Sequence, residues 1–328
     1  MGIGCGKCGC SNVLSKDNAF QQQFLTVDEI NKNHISKIET IQKHIRRYLS
    51  MKTHKTTDIC QYNTTNSTFV YNQHLYNTKS KHPSFYTGFC TETNVKSGIG
   101  ILKWKDGTEY KGEFYNNTPN GYGIIHYTTG EEYEGEWKDG KADGIGILRS
   151  IISDEYEVLY EGEWKEDVKE GIGVCEEKSI ANKTVRRFEG MYENGMKNGF
   201  GTYKSSDGEY FEGFFKDNTM NGYGLFRKGD GDEYEGFFQN NMKEGKGVFT
   251  CKDGSVFKGM YRKDIKNGKG EFIYPNGNVF SGKWVNGKKQ GIGKVKKANG
   301  GSVKYGEWDQ GTRIKWLSEE EVKNYISI

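Results

Sequence analysis

Apolar positions along most of this chain do not form runs; they recur at fixed distances from glycines. Pairs of glycines separated by one residue stand at Gly98/Gly100, Gly121/Gly123, Gly144/Gly146, Gly171/Gly173, Gly199/Gly201, Gly222/Gly224, Gly245/Gly247, Gly268/Gly270 and Gly291/Gly293. Their spacings are 23, 23, 27 and 28, then 23 four times. About eleven residues before each pair stands an aromatic–x–Gly, as in YKGEF at Tyr110, YEGEW at Tyr133 and Tyr160, FEGFF at Phe211, YEGFF at Tyr234 and FSGKW at Phe280. A fixed period of this length predicts stacked copies of one supersecondary unit.

Each unit reads as a β-hairpin. Side chains alternate across a strand, so Tyr234, Gly236 and Phe238 are expected on one face, with Gly245, Gly247 and Phe249 sharing a face on the second strand. Glycine on that face leaves room for rings to lie against the backbone. Asp106-Gly107, Asp207-Gly208, Asp253-Gly254 and Asn276-Gly277 supply turns of positive φ. Two buried rings return about 8–12 kcal/mol, whereas ordering a unit of this length costs roughly 25–35 kcal/mol. No unit stands alone, and the reading is an all-β, elongated single-sheet array of repeated hairpins. Its framework is expected at Tyr110, Gly112, Tyr133, Gly135, Trp137, Tyr160, Gly162, Trp164, Phe211, Gly213, Tyr234, Gly236, Phe257, Gly259, Phe280, Gly282 and Trp284.

These residues resemble the MORN repeat (membrane occupation and recognition nexus), whose unit is similar to Y-x-G-E-W-x-x-G-x-x-x-G-x-G. The resemblance covers residues 86–311. It implies an elongated sheet of hairpins in a protein that acts as a scaffold, a membrane–cytoskeleton linker or an axonemal component. The first unit, at Tyr86, carries Phe89-Cys90 in place of Glu-Trp, and units three and four carry insertions at Ile151–Val158 and Lys178–Arg187. The last, at Gly306-Glu307-Trp308, is a half unit. Ser318-x-x-Glu321 then reads as a capping box that opens a short helix in segment 312–328, taken as a cap for the sheet edge.

A helical period governs residues 26–52. Thr26-x-x-Glu29 is a capping box, and Val27, Ile30, His34, Ile38, Ile41, Ile45 and Leu49 form one stripe. Lys37, Lys43, Arg46, Arg47 and Lys52 lie mostly off it, giving a basic amphipathic helix suited to calmodulin, a related EF-hand protein or an anionic surface. IQKHIRRYLSMK also resembles the calmodulin-binding IQ motif. Ile41, Gln42 and Arg46 match it, Arg47 replaces its Gly, and Met51 replaces its last basic residue. The resemblance implies contacts through Ile38, Ile41, Gln42, Ile45, Arg46, Arg47 and Leu49. The alternative is that this helix packs on the array's own aromatic face. Residues 53–84 read as a polar linker with a strand at Ser67–Tyr71.

Composition sharpens the picture. With 21 Tyr, 18 Phe and 6 Trp among 328 residues the chain is not disordered, and 3 Pro against 45 Gly exclude collagen. No apolar run is long enough to span a bilayer, and no secretory signal is read at the start. The odd count of 7 Cys, three of them within the first ten residues, points to a reducing compartment rather than a disulfide framework. Residues 1–85 hold eleven Lys/Arg against five Asp/Glu, and the remainder 36 against 39, so a basic arm precedes a weakly acidic body. That body argues against nucleic acid.

MGIGCGKCGC offers Gly2 for myristate and Cys5, Cys8 and Cys10 for S-acylation, a two-signal tether to a membrane. An inert tail, or three thiolates in a metal site, are its alternatives. Gly4–Gly9 match GxGxxG only formally, with no preceding strand. No HExxH, GxSxG or GxxxxGK[ST] occurs, and five of the 6 His precede residue 85, so neither an enzyme nor a cofactor is expected. Lys288, Lys289, Lys294, Lys296, Lys297 and Lys304 form a cluster for which anionic lipid headgroups compete with a plainly solvated surface, the latter being favoured. The expectation is a non-enzymatic scaffold on the cytoplasmic face of a membrane or at the cell cortex. It would bind calmodulin and other scaffold or cytoskeletal proteins, with pairing into a homodimer left open. The rival is a building block of cilium or axoneme resembling radial-spoke-head MORN proteins.

Overall fold

The structure, a computed structural model, describes residues 67–75, 84–153, 156–298 and 303–326. Gly2, Cys5, Cys8, Cys10 and the 26–52 segment lie outside the described residues.

Twenty-one strands form one antiparallel sheet. They are β1 (Ser67–Leu75), β2 (Ser84–Thr91), β3 (Lys96–Trp104), β4 (Glu109–Tyr115), β5 (Thr118–His126), β6 (Glu132–Lys138) and β7 (Lys141–Ser153). There follow β8 (Tyr156–Lys165), β9 (Val168–Ser179), β10 (Thr184–Glu193), β11 (Met196–Ser205), β12 (Tyr210–Lys216), β13 (Thr219–Arg227) and β14 (Glu233–Gln239). The last are β15 (Met242–Thr250), β16 (Val256–Arg262), β17 (Ile265–Ile273), β18 (Val279–Val285), β19 (Lys288–Lys296), β20 (Lys304–Asp309) and β21 (Thr312–Trp316). Among the described residues each pairs only with its neighbours in sequence, from β1 on β2 through to β20 on β21. At about 4.8 Å per strand the ribbon is on the order of 95 Å long. β1 confirms the strand expected at Ser67–Tyr71, and the sheet thus reaches back into the segment read as linker.

Two kinds of turn alternate. Within a unit, β14 and β15 are joined by Asn240-Asn241 at φ 50° and 66°, and the same two-residue turn recurs at Asn116-Asn117, Asp217-Asn218 and Lys263-Asp264. Positive φ at both central positions is what the twist of a tight hairpin demands, and Asn and Asp tolerate it best among side-chain-bearing residues. Between units lies a longer loop such as 251–255, where the Gly254 N–H donates to the Cys251 carbonyl and the Ser255 N–H donates to Asp253 Oδ1 at 2.8 Å. The four Asp-Gly and Asn-Gly turns expected from sequence all occur in such loops, with φ between 78° and 97° at their glycines.

The insertions of units three and four are not loops. Ile151 pairs with Glu157, Val158 with Glu177 and Arg186 with Glu177, so they lengthen β7 to β10 as strands. At the end of the chain the expected capping box is present: the Ser318 N–H donates to Glu321 Oε2 at 2.7 Å, and the Glu321 N–H donates to Ser318 Oγ at 3.3 Å. It opens α1 (Glu319–Ile326). The helix does not cover the edge as expected. Every residue of β21 is exposed, and α1 is tied to that strand by the Lys315–Glu321 ion pair.

Candidate functional site: two faces of one sheet

The main core is a row of rings on one face, while Ile147, Ile172, Val174 and Phe200 are buried on the other. From Tyr86 it runs through Phe114, Tyr110, Trp137, Tyr133, Trp164 and Tyr160 to Tyr192, each ring edge-on to the next with centroids 5.1–5.3 Å apart. It continues unbroken through Phe188, Phe211, Tyr234, Phe257 and Phe280 to Trp308 and Trp316. Each such pair is worth about 0.5–1.5 kcal/mol beyond its buried area. Tyr86, Tyr110, Tyr160 and Tyr234 are fully buried although no second layer covers the sheet among the described residues.

The two glycines of each pair have different jobs, which corrects the face assigned to the first. Gly236 opposes Gly247 and Tyr234 opposes Phe249, and the register then shifts before Phe238 meets Lys243. Gly247 is the slot: a Cβ there would lie no farther than 2.5 Å from Tyr234 Oη, Cε2 and Cζ. Gly245 instead sits in the bulge at φ 77°, and a Cβ there would point to Phe237 on the opposite face. Alternation holds along a regular strand but fails across a bulge.

The bulge frees backbone groups, and side chains meet them. The hydroxyls of Tyr86, Tyr110, Tyr133, Tyr160 and Tyr234 donate to the carbonyl three residues on, at 2.8–3.1 Å. The Glu of the repeat accepts the N–H between the paired glycines, as in Tyr122 N–H to Glu113 Oε1 at 3.2 Å and Ile145 N–H to Glu136 Oε2 at 2.9 Å. Burial pushes the phenols of Tyr110, Tyr133, Tyr160 and Tyr234 above the ordinary tyrosine range. The Trp137 indole donates to the Gly123 carbonyl at 3.1 Å, which links one unit to the previous one.

Two further rows went unread in the sequence. Lys169 and Lys266 lie over Tyr160 and Phe257 at 4.5 and 4.7 Å, and Lys96, Lys197, Lys243 and Lys289 repeat the contact on their own rings. Burial lowers the ammonium pKa of Lys96, Lys169 and Lys266. The tight turns, meanwhile, clasp their neighbours. Asn241 donates its N–H to the Met220 carbonyl, and its Oδ1 accepts the Met220 N–H at 2.7 Å. Asn117 with Lys96, Asn218 with Lys197 and Asp264 with Lys243 do the same. At this phase the repeat alternates between Asn or Asp, as at Asn117, Asp167, Asn218, Asn241 and Asp264, and Gly, as at Gly140, Gly195, Gly287 and Gly311, which keep only the backbone half of the clasp.

The carboxyl-terminal lysines do not form one surface. Trp284 opposes Lys289, which puts Lys289 on the ring face, whereas Ser281 opposes Lys294, Val279 opposes Lys296 and Val285 opposes Lys288 on the other. Lys304 lies over Trp316. On the non-ring face a groove of about 490 Å³ has Gly236, Gly247 and Gly259 as floor, with Tyr223, Val248 and Met260 among its walls. Many of the described carboxylates accept from backbone amides and tyrosine hydroxyls or pair with cations; that of Glu132 lies 2.9 Å from His126 Nδ1.

Hairpins that touch only their sequence neighbours, share one ring row and fill their own core define a repeat array, a class whose work is done on its outer faces. The profile of the MORN repeat matches at 94–109, 110–132, 133–151, 160–176, 188–210, 211–233, 234–256, 257–279 and 280–302. The chain belongs to the MORN repeat family, whose arrays serve in protein and membrane binding and are typically non-catalytic. No curated protein matches it. Tyr86 of the first unit and Trp308 of the terminal half unit extend the ring row beyond the matched segments.

Proposed function

We propose that the chain is a non-enzymatic scaffold: the array is its binding body, and the basic amino-terminal arm is its tether and switch. Gly2 and the cysteines Cys5, Cys8 and Cys10 take acyl groups that hold it at the cytoplasmic face of a membrane or at the cell cortex. The 26–52 segment binds calmodulin or a related EF-hand protein. The observation that carries the scaffold reading is the ring row. Its glycine slots are filled by the chain's own tyrosines and phenylalanines, so the array offers partners its outer side-chain rows rather than an internal cavity.

The arm is tested in eukaryotic cells with alkyne-tagged myristate and palmitate, beside Gly2→Ala and a Cys5/Cys8/Cys10→Ser variant. Label at these positions, and membrane partition that falls in the variants, is the expected result, because one myristoyl chain alone holds a bilayer only marginally. Absence of both labels, in cells that acylate control proteins, would move the assignment to a ciliary or cytoskeletal building block. Retention on calmodulin with or without calcium, lost on Ile41→Ala/Arg46→Ala, is the second expectation. No retention in either state removes that partner.

A further inference from the structure

The groove on the non-ring face runs across the strands, between two rows of side chains. One wall, on β13 to β17, holds Tyr223, Lys246, Met260 and Lys269. The other holds Glu235, Val248 and Lys258. Gly236 opposes Gly247 and Gly247 opposes Gly259, so the floor between the walls is bare backbone. Lys246, Lys258 and Lys269 are exposed, while Val248 and Met260 are half-buried. Glu235, the carboxylate in this lining, accepts the Tyr223 hydroxyl at 2.7 Å. The groove is therefore aromatic at its β13 end, apolar along its middle and cationic from β15 to β17.

We infer that this groove binds a short acidic segment of a partner protein, laid along it as a polyproline-II strand with carboxylates three residues apart. Two repeats match. Lys246 on β15 and Lys269 on β17 stand two strands apart in one wall, about 9.6 Å. Three residues of a polyproline-II strand advance about 9.3 Å and complete one turn, so side chains three apart point the same way. Carboxylates at that spacing meet Lys246 and Lys269, and Lys258, on the strand between them, faces both from the other wall. Tyr223 lies two strands before Lys246 and takes an apolar side chain at the neighbouring position of the same period. The segment that fits reads apolar–x–x–acid–x–x–acid. Such a strand has no internal hydrogen bonds and is already extended when rich in proline, so little order is lost on docking.

A wider anionic partner fits less well. The central rows of the same face on β4 to β8 carry Glu113, Glu134, Glu136, Glu161 and Glu163 against Lys111. A bilayer or a long polyanion covering the face would meet those glutamates, whereas a segment of about seven residues spans only five strands. On β15 to β19 the balance is reversed, with Lys283 and Lys294 added to the groove lysines against Glu271. This partner class deepens the scaffold reading and rests on it, but neither the acyl groups nor the 26–52 segment plays a part.

The test is fluorescence anisotropy of the labelled peptide LPPEPPEPP with the full chain. Saturable binding below about 1 mM is expected, weakening as salt rises. LPPEEPPPP has the same composition, but its second carboxylate points a third of a turn away, and it should bind about tenfold more weakly. Lys246→Ala/Lys269→Ala, both exposed, should weaken LPPEPPEPP about tenfold while the circular dichroism of the chain is unchanged. No saturable binding overturns the inference, as do equal affinities for the two peptides or a folded double variant that binds like wild type. Binding to phosphatidylserine vesicles without peptide binding would give these lysines to an anionic bilayer and overturn it as well. The acyl-labelling and calmodulin experiments read the scaffold's arm separately, so failure of the peptide and failure of the tether are distinguishable.

Discussion

Gly247→Ala isolates the steric demand of the ring row. The substitution adds one methyl at a residue without positive φ, so backbone strain does not enter. That methyl would lie within 2.5 Å of three atoms of the Tyr234 ring, where real Cβ contacts do not fall below 3.0 Å. The ring must lift, and lifting it weakens its edge-to-face contacts with Phe238 at 5.1 Å and Tyr261 at 5.3 Å. It also loses the hydroxyl bond to the Phe237 carbonyl at 3.1 Å. Two aromatic contacts at about 0.5–1.5 kcal/mol each and one hydrogen bond at about 1 kcal/mol come to roughly 2–4 kcal/mol. Gly291→Ala is the control: φ is 71° there and nothing lies within 4 Å of the added methyl, so only about 1–2 kcal/mol of left-handed strain is incurred. Hydrogen exchange resolved by peptide is the assay, because an array of repeats opens locally. Gly247→Ala should lower protection in β13 to β17 by about tenfold beyond the control, the equivalent of 1.4 kcal/mol, while β3 to β6 keep theirs. Equal or smaller loss in Gly247→Ala would refute the slot.

Other expectations follow from the same geometry. Burial raises the phenol pKa of Tyr86, Tyr110, Tyr133, Tyr160 and Tyr234. Their contribution is therefore full below the unfolded value of about 10 and lost as pH rises toward the folded value, by up to about 1.4 kcal/mol per pH unit for each ring. Tyrosinate absorbance and circular dichroism should change together in an alkaline titration; phenols that ionise near pH 10 in an intact sheet would contradict it. Asn241→Ala removes the 2.7 Å clasp on Met220 and puts alanine at φ 66°. It should cost about 1–3 kcal/mol, with Asn241→Gly recovering only the backbone part, read from exchange of the Met220 amide. Ser318→Ala should fray α1 at a cost of about 1 kcal/mol. The Lys315 ammonium, first, and the Ser318 amide hold the Glu321 carboxyl down to about 2, so this pairing persists above the usual carboxylate range and is lost as pH falls through that value. A Glu321 side-chain titration near 4 by NMR would contradict it.

The hairpins, the ring positions, the inter-unit turns and the capping box were legible because each is a local pattern repeated or closed within four residues. The two glycines of a pair were not separable: Gly245 and Gly247 look equivalent under strict alternation, and only the bulge opposite Phe237 turns one of them to the other face. The clasps join residues 21 apart, such as Lys96 and Asn117, and no local rule links them. The insertion at Ile151–Val158 is legible from the broken 23-residue spacing, but its strand form is not, because no repeat pattern covers it.

The central claim is that the described residues form one extended layer of strands whose buried rings need no second layer. Small-angle X-ray scattering of the full chain tests it most directly. A ribbon on the order of 95 Å long gives a radius of gyration of about 28 Å or more. A compact globule of the same 328 residues would give about 20 Å, and that result would contradict the account.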